Sequence, residues 1–242
     1  MSTRTPDELP VPALSLLLDF DGTVALGDGP VYAYAEAVGQ YLEPAGRDAL
    51  HSTLHAFLTE PGGAGLPFID GYDAVAQLSG SQLTDDQRQA AYRASREAVA
   101  RGEVPVQAPE GLSDFLAAIG RKAHRILLTN APLNGVTESL QSLGLTEVID
   151  EIIPDAGKPA GLERLLPALL AGREPQALLS VGDVWINDLK YPGAAGCATA
   201  FIDRFDLRSG PTNLRAARIE DLYAGMLAWA ENPASIVALQ AA

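Results

Sequence analysis

The sequence predicts an α/β fold: a mostly parallel sheet flanked by helices, with a helical segment inserted into it. Three observations predict it. Apolar runs of strand length recur, ALSLLL (13–18), RILLTN (125–130), ALLSVGD (177–183) and CATAFID (197–203), with a more mixed EVIDEII at 147–153. Helical patterns alternate with these runs, which is the signature of a sheet covered on both faces. The alternation fails between residues 27 and 109, where helical patterns follow one another with no convincing strand, over a span too long for an ordinary crossover.

Taken in order, the chain begins with twelve residues rich in proline and charge, read as a loose tail. The first strand, 13–18, runs into DFDGT. The insertion then offers helices over 31–42, 47–58 and 84–100, a short one near 72–78, and a glycine-rich loop at 60–71. Beyond it, helices are expected over 110–122, 133–143 and 160–171, a short one near 187–195, and a last one over 213–230.

Composition narrows the function. The 242 residues are 47% hydrophobic and carry a formal net charge of −14, which argues against a broad nucleic-acid-binding surface. Cys197 is the single cysteine, so no internal disulfide forms. No apolar run approaches membrane-spanning length. The expectation is a soluble, cytoplasmic protein, monomer or homodimer, with no nucleic-acid or membrane partner.

Acidic residues cluster where strands end. Asp19 and Asp21 close the first strand; Asp183 and Asp188 follow the SVG run. Thr129 and Asn130 end the LLTN strand, and Lys158 precedes a helix in DAGKPAG. Each alone reads as a turn or cap residue. Together they lie where an open sheet binds ligands, beyond the carboxyl ends of its strands. Close carboxylates repel unless a cation joins them, and hard divalent cations prefer oxygen. Acidic oxygens with magnesium and a lysine suit a phosphoryl group. One carboxylate can attack phosphorus, and a second can protonate the leaving oxygen and then activate water.

At these residues the chain resembles the haloacid dehalogenase-like hydrolase superfamily, with DFDGT, LLTN, GKP and GDVWIND matching its four motifs in order. The resemblance implies a Rossmann-like core at 1–26 and 110–242 and a helical type-one cap at 27–109, as in phosphoglycolate-phosphatase-like and phosphomutase-like relatives. It implies Asp19 as nucleophile, Asp21 as general acid/base, and Thr129 and Lys158 as phosphoryl-binding groups. Asp19, the Asp21 carbonyl and Asp183 would hold Mg2+, with Asp188 supporting the metal shell or orienting Lys158. The substrate is expected to be a small phosphorylated metabolite, contacted by Asn130 and by Phe68, Asp70 and Tyr72 near the cap loop. Asp21 favours a phosphatase over a dehalogenase, since a departing halide needs no proton. A sugar phosphomutase, or an inactive binding protein, is the alternative.

Other residues are assigned plain roles. His51 and His55 share a helix face without a third ligand, and Cys197 begins a buried strand. Trp185 packs against the sheet or lines the cleft. Arg88, Arg93, Arg96 and Arg101 read as a mixed, solvated helix face, the alternative being that one of them, which the sequence does not single out, reaches an anionic substrate.

Overall fold

The computed structural model describes residues 13–237, so the tail expected over 1–12 lies outside the described residues. Strand β1 (Leu14–Leu18) is central. It pairs in parallel with β2 (Ala123–Leu128) on one side and with β4 (Leu178–Gly182) on the other. Strand β3 (Glu151–Ile153) continues one edge. Strands β5 (Ala198–Ile202) and β6 (Leu214–Ala216) continue the other, giving the order β3-β2-β1-β4-β5-β6. All five pairings are parallel.

Leucines on both faces explain why β1 sits in the middle. Leu16 and Leu18 point into a cluster with α5 (Leu112–Ile119), α6 (Leu133–Ser142) and α10 (Tyr223–Glu231). Leu17 points the other way, toward Leu162 and Leu166 of α7 (Ala160–Leu170). The anchor of the first layer is Trp229, which has no exposed surface and donates its indole N–H to the Gln176 carbonyl at 2.9 Å. Trp229→Ala should cost about 3–5 kcal/mol, the range for deleting a buried large aromatic. Urea unfolding measures this, and a loss below about 1 kcal/mol would show that the pocket collapses around the vacancy.

Between β1 and β2 lie four longer helices: α1 (Gly29–Gly39), α2 (Pro44–Thr59), α3 (Gly71–Ser79) and α4 (Asp85–Ala100). They bury a cluster of their own around Phe57, Leu54, Tyr34 and Val75. The chain enters and leaves this insertion side by side, because Leu26 and Gln107 exchange N–H···O bonds of 2.8 and 2.9 Å. The loop after β5 also reaches the insertion. Phe205 packs at a tilt against Phe57 with centroids 4.4 Å apart, and Arg204 donates to the Leu58 carbonyl at 3.0 Å.

Two expectations need correction. The helix expected over 213–230 begins later, because Leu214–Ala216 form the edge strand β6. Three residues, half-buried Leu214 and Ala216 on either side of exposed Arg215, are too few to show strand periodicity, and Arg215 pairs with Asp203. The short helix near 187–195 is two pieces, α8 (Trp185–Asp188) and α9 (Lys190–Ala194). Pro192 fits in the first turn of α9, where its missing N–H costs no helical bond. Among the described residues no helix is long and apolar enough to cross a membrane.

Candidate active site

The carboxyl ends of β1 and β4 and the loop between β3 and α7 bring four sequence-predicted residues together, Asp19, Asp183, Asp188 and Lys158. Asp19 continues β1 by one residue, its N–H bonded to the Val181 carbonyl at 3.0 Å. Lys158, before α7, places Nζ 2.5 Å from Asp19 Oδ1 and 2.7 Å from Asp188 Oδ1. Burial alone would lower the lysine pKa, but the Asp188 and Asp19 carboxylates outweigh it and raise it, so the ammonium stays charged. The other oxygen of Asp188 accepts from the Val184 N–H at 3.1 Å. Both oxygens of Asp188 thus have protein partners, which fits orienting Lys158 better than ligating a metal. Burial is the main force pushing the Asp188 carboxyl up to about 7, with Lys158 opposing it. Gly182 is required beside it, since a Cβ there would lie 2.2 Å from Asp188 Oδ2.

Asp183 is different. Its Oδ1 is buried with no hydrogen-bond partner. Burial, followed by the charges of Asp19, Asp188 and Asp70, drives its pKa well above the usual carboxylate range. Oxygens of Asp19, Asp183 and Asp188 all lie within 4.8 Å of one another. A buried acceptor without a donor, facing other carboxylates, fits a hard divalent cation. Gly22 makes room for this arrangement. Its φ is +82°, and a Cβ would meet Asp183 Oδ2 at 2.1 Å.

The carboxylate of Asp21 turns away from Asp183 and toward the insertion. Arg96 of α4 directs Nη1 at both Asp21 oxygens, 3.1 Å each, and at the Tyr72 hydroxyl at 3.2 Å. Desolvation raises the Asp21 pKa against the opposing pull of Arg96. Arg96 is 2% exposed, and its Nε and Nη2 have no partner. The solvated face expected for Arg96 is therefore wrong. Arg88 and Arg101 do pair locally with Asp85 and Glu103. A usable signal existed: Arg96 follows Tyr92 by four and sits in the buried stripe with Ala91, Ser95 and Val99.

The remaining candidates divide. Thr129 is buried and lines the cleft, its hydroxyl oxygen accepting from the Ala131 N–H at 3.0 Å. Asn130 spends its carboxamide on the Lys158 backbone, accepting at 2.7 Å and donating at 3.2 Å, so it fixes the lysine loop. Asp70 lines the cleft, caps α3 by accepting from the Asp73 N–H at 2.6 Å, and is pushed up to about 6 by burial. Tyr72 lines the cleft too. Phe68 does not: it is buried edge-on against Phe57 inside the insertion, because an aromatic flanked by polar loop residues still finds the nearest core. Trp185 is half-buried outside the cleft, donating to the Pro211 carbonyl at 3.1 Å. His51 and His55 serve different neighbours, Glu36 and Tyr32. Cys197 is buried, its thiol pushed up to about 11 by desolvation.

Similarity to solved structures spans nearly the whole chain. YfnB of Bacillus subtilis, bound to magnesium, aligns over 87% of this chain and 97% of its own at 17% identity, TM-score 0.56. A predicted phosphoglycolate phosphatase from Haemophilus somnus aligns over 88% and 97% at 15% identity, TM-score 0.58. The L-2-haloacid dehalogenase RSc1362 aligns over 88% and 97% at 16% identity, TM-score 0.54. The fold is that of the haloacid dehalogenase-like hydrolases. No family model and no curated protein matches the sequence. At these identities the haloacid dehalogenase-like fold is shared by proteins named for phosphate and halide chemistry alike, so the choice between them falls to the site residues.

Proposed function

We propose that this chain is a magnesium-dependent phosphomonoesterase that works through an aspartyl-phosphate on Asp19. The observation that carries the reading is the set Asp19–Lys158–Asp188 beside the unpartnered oxygen of Asp183.

Asp19 and Asp183, with the Asp21 main-chain carbonyl, would hold the ion, which supplies positive charge to the phosphoryl oxygens. Lys158 offsets the remaining charge and keeps Asp19 oriented. Asp19 attacks phosphorus while the ester P–O bond breaks. Asp21 gives its proton to the departing alkoxide. It then takes a proton from the water that cleaves the acyl phosphate, releasing inorganic phosphate and restoring Asp19. The raised pKa of Asp21 suits the donating role, and a halide leaving group would give that carboxyl nothing to do. Arg96 holds Asp21 from the insertion side, which makes the helical insertion a cap that orients the acid/base as well as covering the site.

Metal removal tests the reading. Chelation should lower phosphate release from p-nitrophenyl phosphate by at least about 100-fold, and added Mg2+ should restore it. Release that persists undiminished in chelator would overturn the metal assignment.

A further inference from the structure

From its catalytic end the cleft widens between the insertion and the loops after β5 and β6, and the whole cavity, catalytic end included, measures about 830 Å3. That is near the upper end of the roughly 300–1,000 Å3 range of small-molecule sites. The insertion is already fastened over it, by Arg96 to Asp21 and by Arg204 to Asp28 at 2.6 and 2.8 Å. One wall is aromatic. Tyr34, Tyr72 and Tyr92 pack with centroids 5.9–6.2 Å apart, and Phe205 and Val31 extend the apolar surface.

Charge in this chamber is one-sided. Among the described residues, eight carboxylates and three cations line the whole cleft; outside the catalytic end, which holds Asp19, Asp21, Asp183, Asp188 and Lys158, four carboxylates (Asp28, Asp70, Asp73 and Glu220) face two cations. Each cation is engaged: Lys158 with Asp19 and Asp188, Arg204 with Asp28, and Arg218 with Glu220 at 3.1 Å. Arg96, whose Nε and Nη2 have no partner, does not line the chamber, whereas Asp21, Tyr72 and Tyr92 do. A second anion on the substrate would face Asp70 and Asp73, and would have to strip a cation from its carboxylate.

Building on the phosphatase reading, we infer that the preferred esters carry a neutral or cationic leaving group built around a ring, and that a second carboxylate or phosphate on the substrate is rejected. Tyrosine faces bind rings and cations alike. A two-carbon anionic leaving group would leave the aromatic wall bare and meet uncompensated carboxylates. The chamber thus differs in demand from a site for phosphoglycolate or for a bisphosphorylated sugar.

Benzyl phosphate, 4-carboxybenzyl phosphate and ethyl phosphate separate the two parts of this inference, with kcat/KM measured in Mg2+. Benzyl phosphate should exceed each of the others by about tenfold or more. A carboxybenzyl ester cleaved as well as the benzyl ester overturns the charge argument, and ethyl phosphate cleaved as well overturns the ring argument. Tyr92→Ala should shrink the benzyl-to-ethyl ratio. Uncleavable benzyl and 4-carboxybenzyl phosphonates, titrated by calorimetry into the wild-type protein, read the same preference without turnover. If no ester is hydrolysed but the benzyl phosphonate binds better, the phosphatase reading fails and the chamber assignment stands. Equal binding of the two phosphonates overturns the chamber assignment.

Discussion

Asp19→Asn lowers phosphate release by about 10⁴-fold or more and leaves the protein folded. The neutral amide keeps the shape of the carboxylate but not its nucleophilicity. Two effects on stability oppose each other. Lys158 loses one of its two carboxylate partners, while Asp183 loses a neighbouring negative charge that raises its pKa. The thermal midpoint should therefore move little, and circular dichroism checks that alongside the assay. Acid quenching with labelled substrate adds a direct readout: wild-type protein retains base-labile phosphate, and the variant retains none. Activity that survives the substitution would remove Asp19 from the nucleophile role.

Arg96→Met produces a different kind of loss. Methionine fills much of the buried volume but cannot hold Asp21, whose two oxygens both face Nη1. The kcat/KM for an alkyl ester such as ethyl phosphate should fall by about 100-fold, the usual scale for general acid catalysis or for a misplaced group. The kcat/KM for p-nitrophenyl phosphate, which excludes the later hydrolysis of the acyl phosphate, should fall far less, because nitrophenolate departs without a proton. The contrast matters because a packing defect would slow both substrates together. Equal losses would demote the Arg96–Asp21 pair to a structural contact, and no loss with either would make it incidental.

The core of the site was legible because its residues sit at strand ends, where apolar runs stop abruptly at Asp19, Thr129 and Asp183. Short-range sequence carries that signal. Arg96 was not legible in the same way. Helix α4 is polar along much of its length, and its decisive partner, Asp21, is 75 positions away. Phe68 failed for the same reason in reverse: its loop reads as polar, while the Phe57 that buries it lies in α2. Strand β6 was missed because an edge strand of three residues is defined by its neighbour β5 more than by its own pattern. Local chemistry was visible, and contacts between the insertion and the core were not.

The position of β1 has a kinetic consequence. Leu14 lies opposite Ala123 and Ser15 opposite Leu178, so both neighbours of the central strand come after the whole insertion in the chain. During synthesis the insertion, with a core of its own, can form while β1 is still unpaired. Parallel pairings between distant segments close slowly and leave apolar strand surface exposed in the interval. Leu16, Leu17 and Leu18 therefore stay uncovered longer than the apolar groups of the insertion, and refolding at high protein concentration should lose material to aggregation at that step.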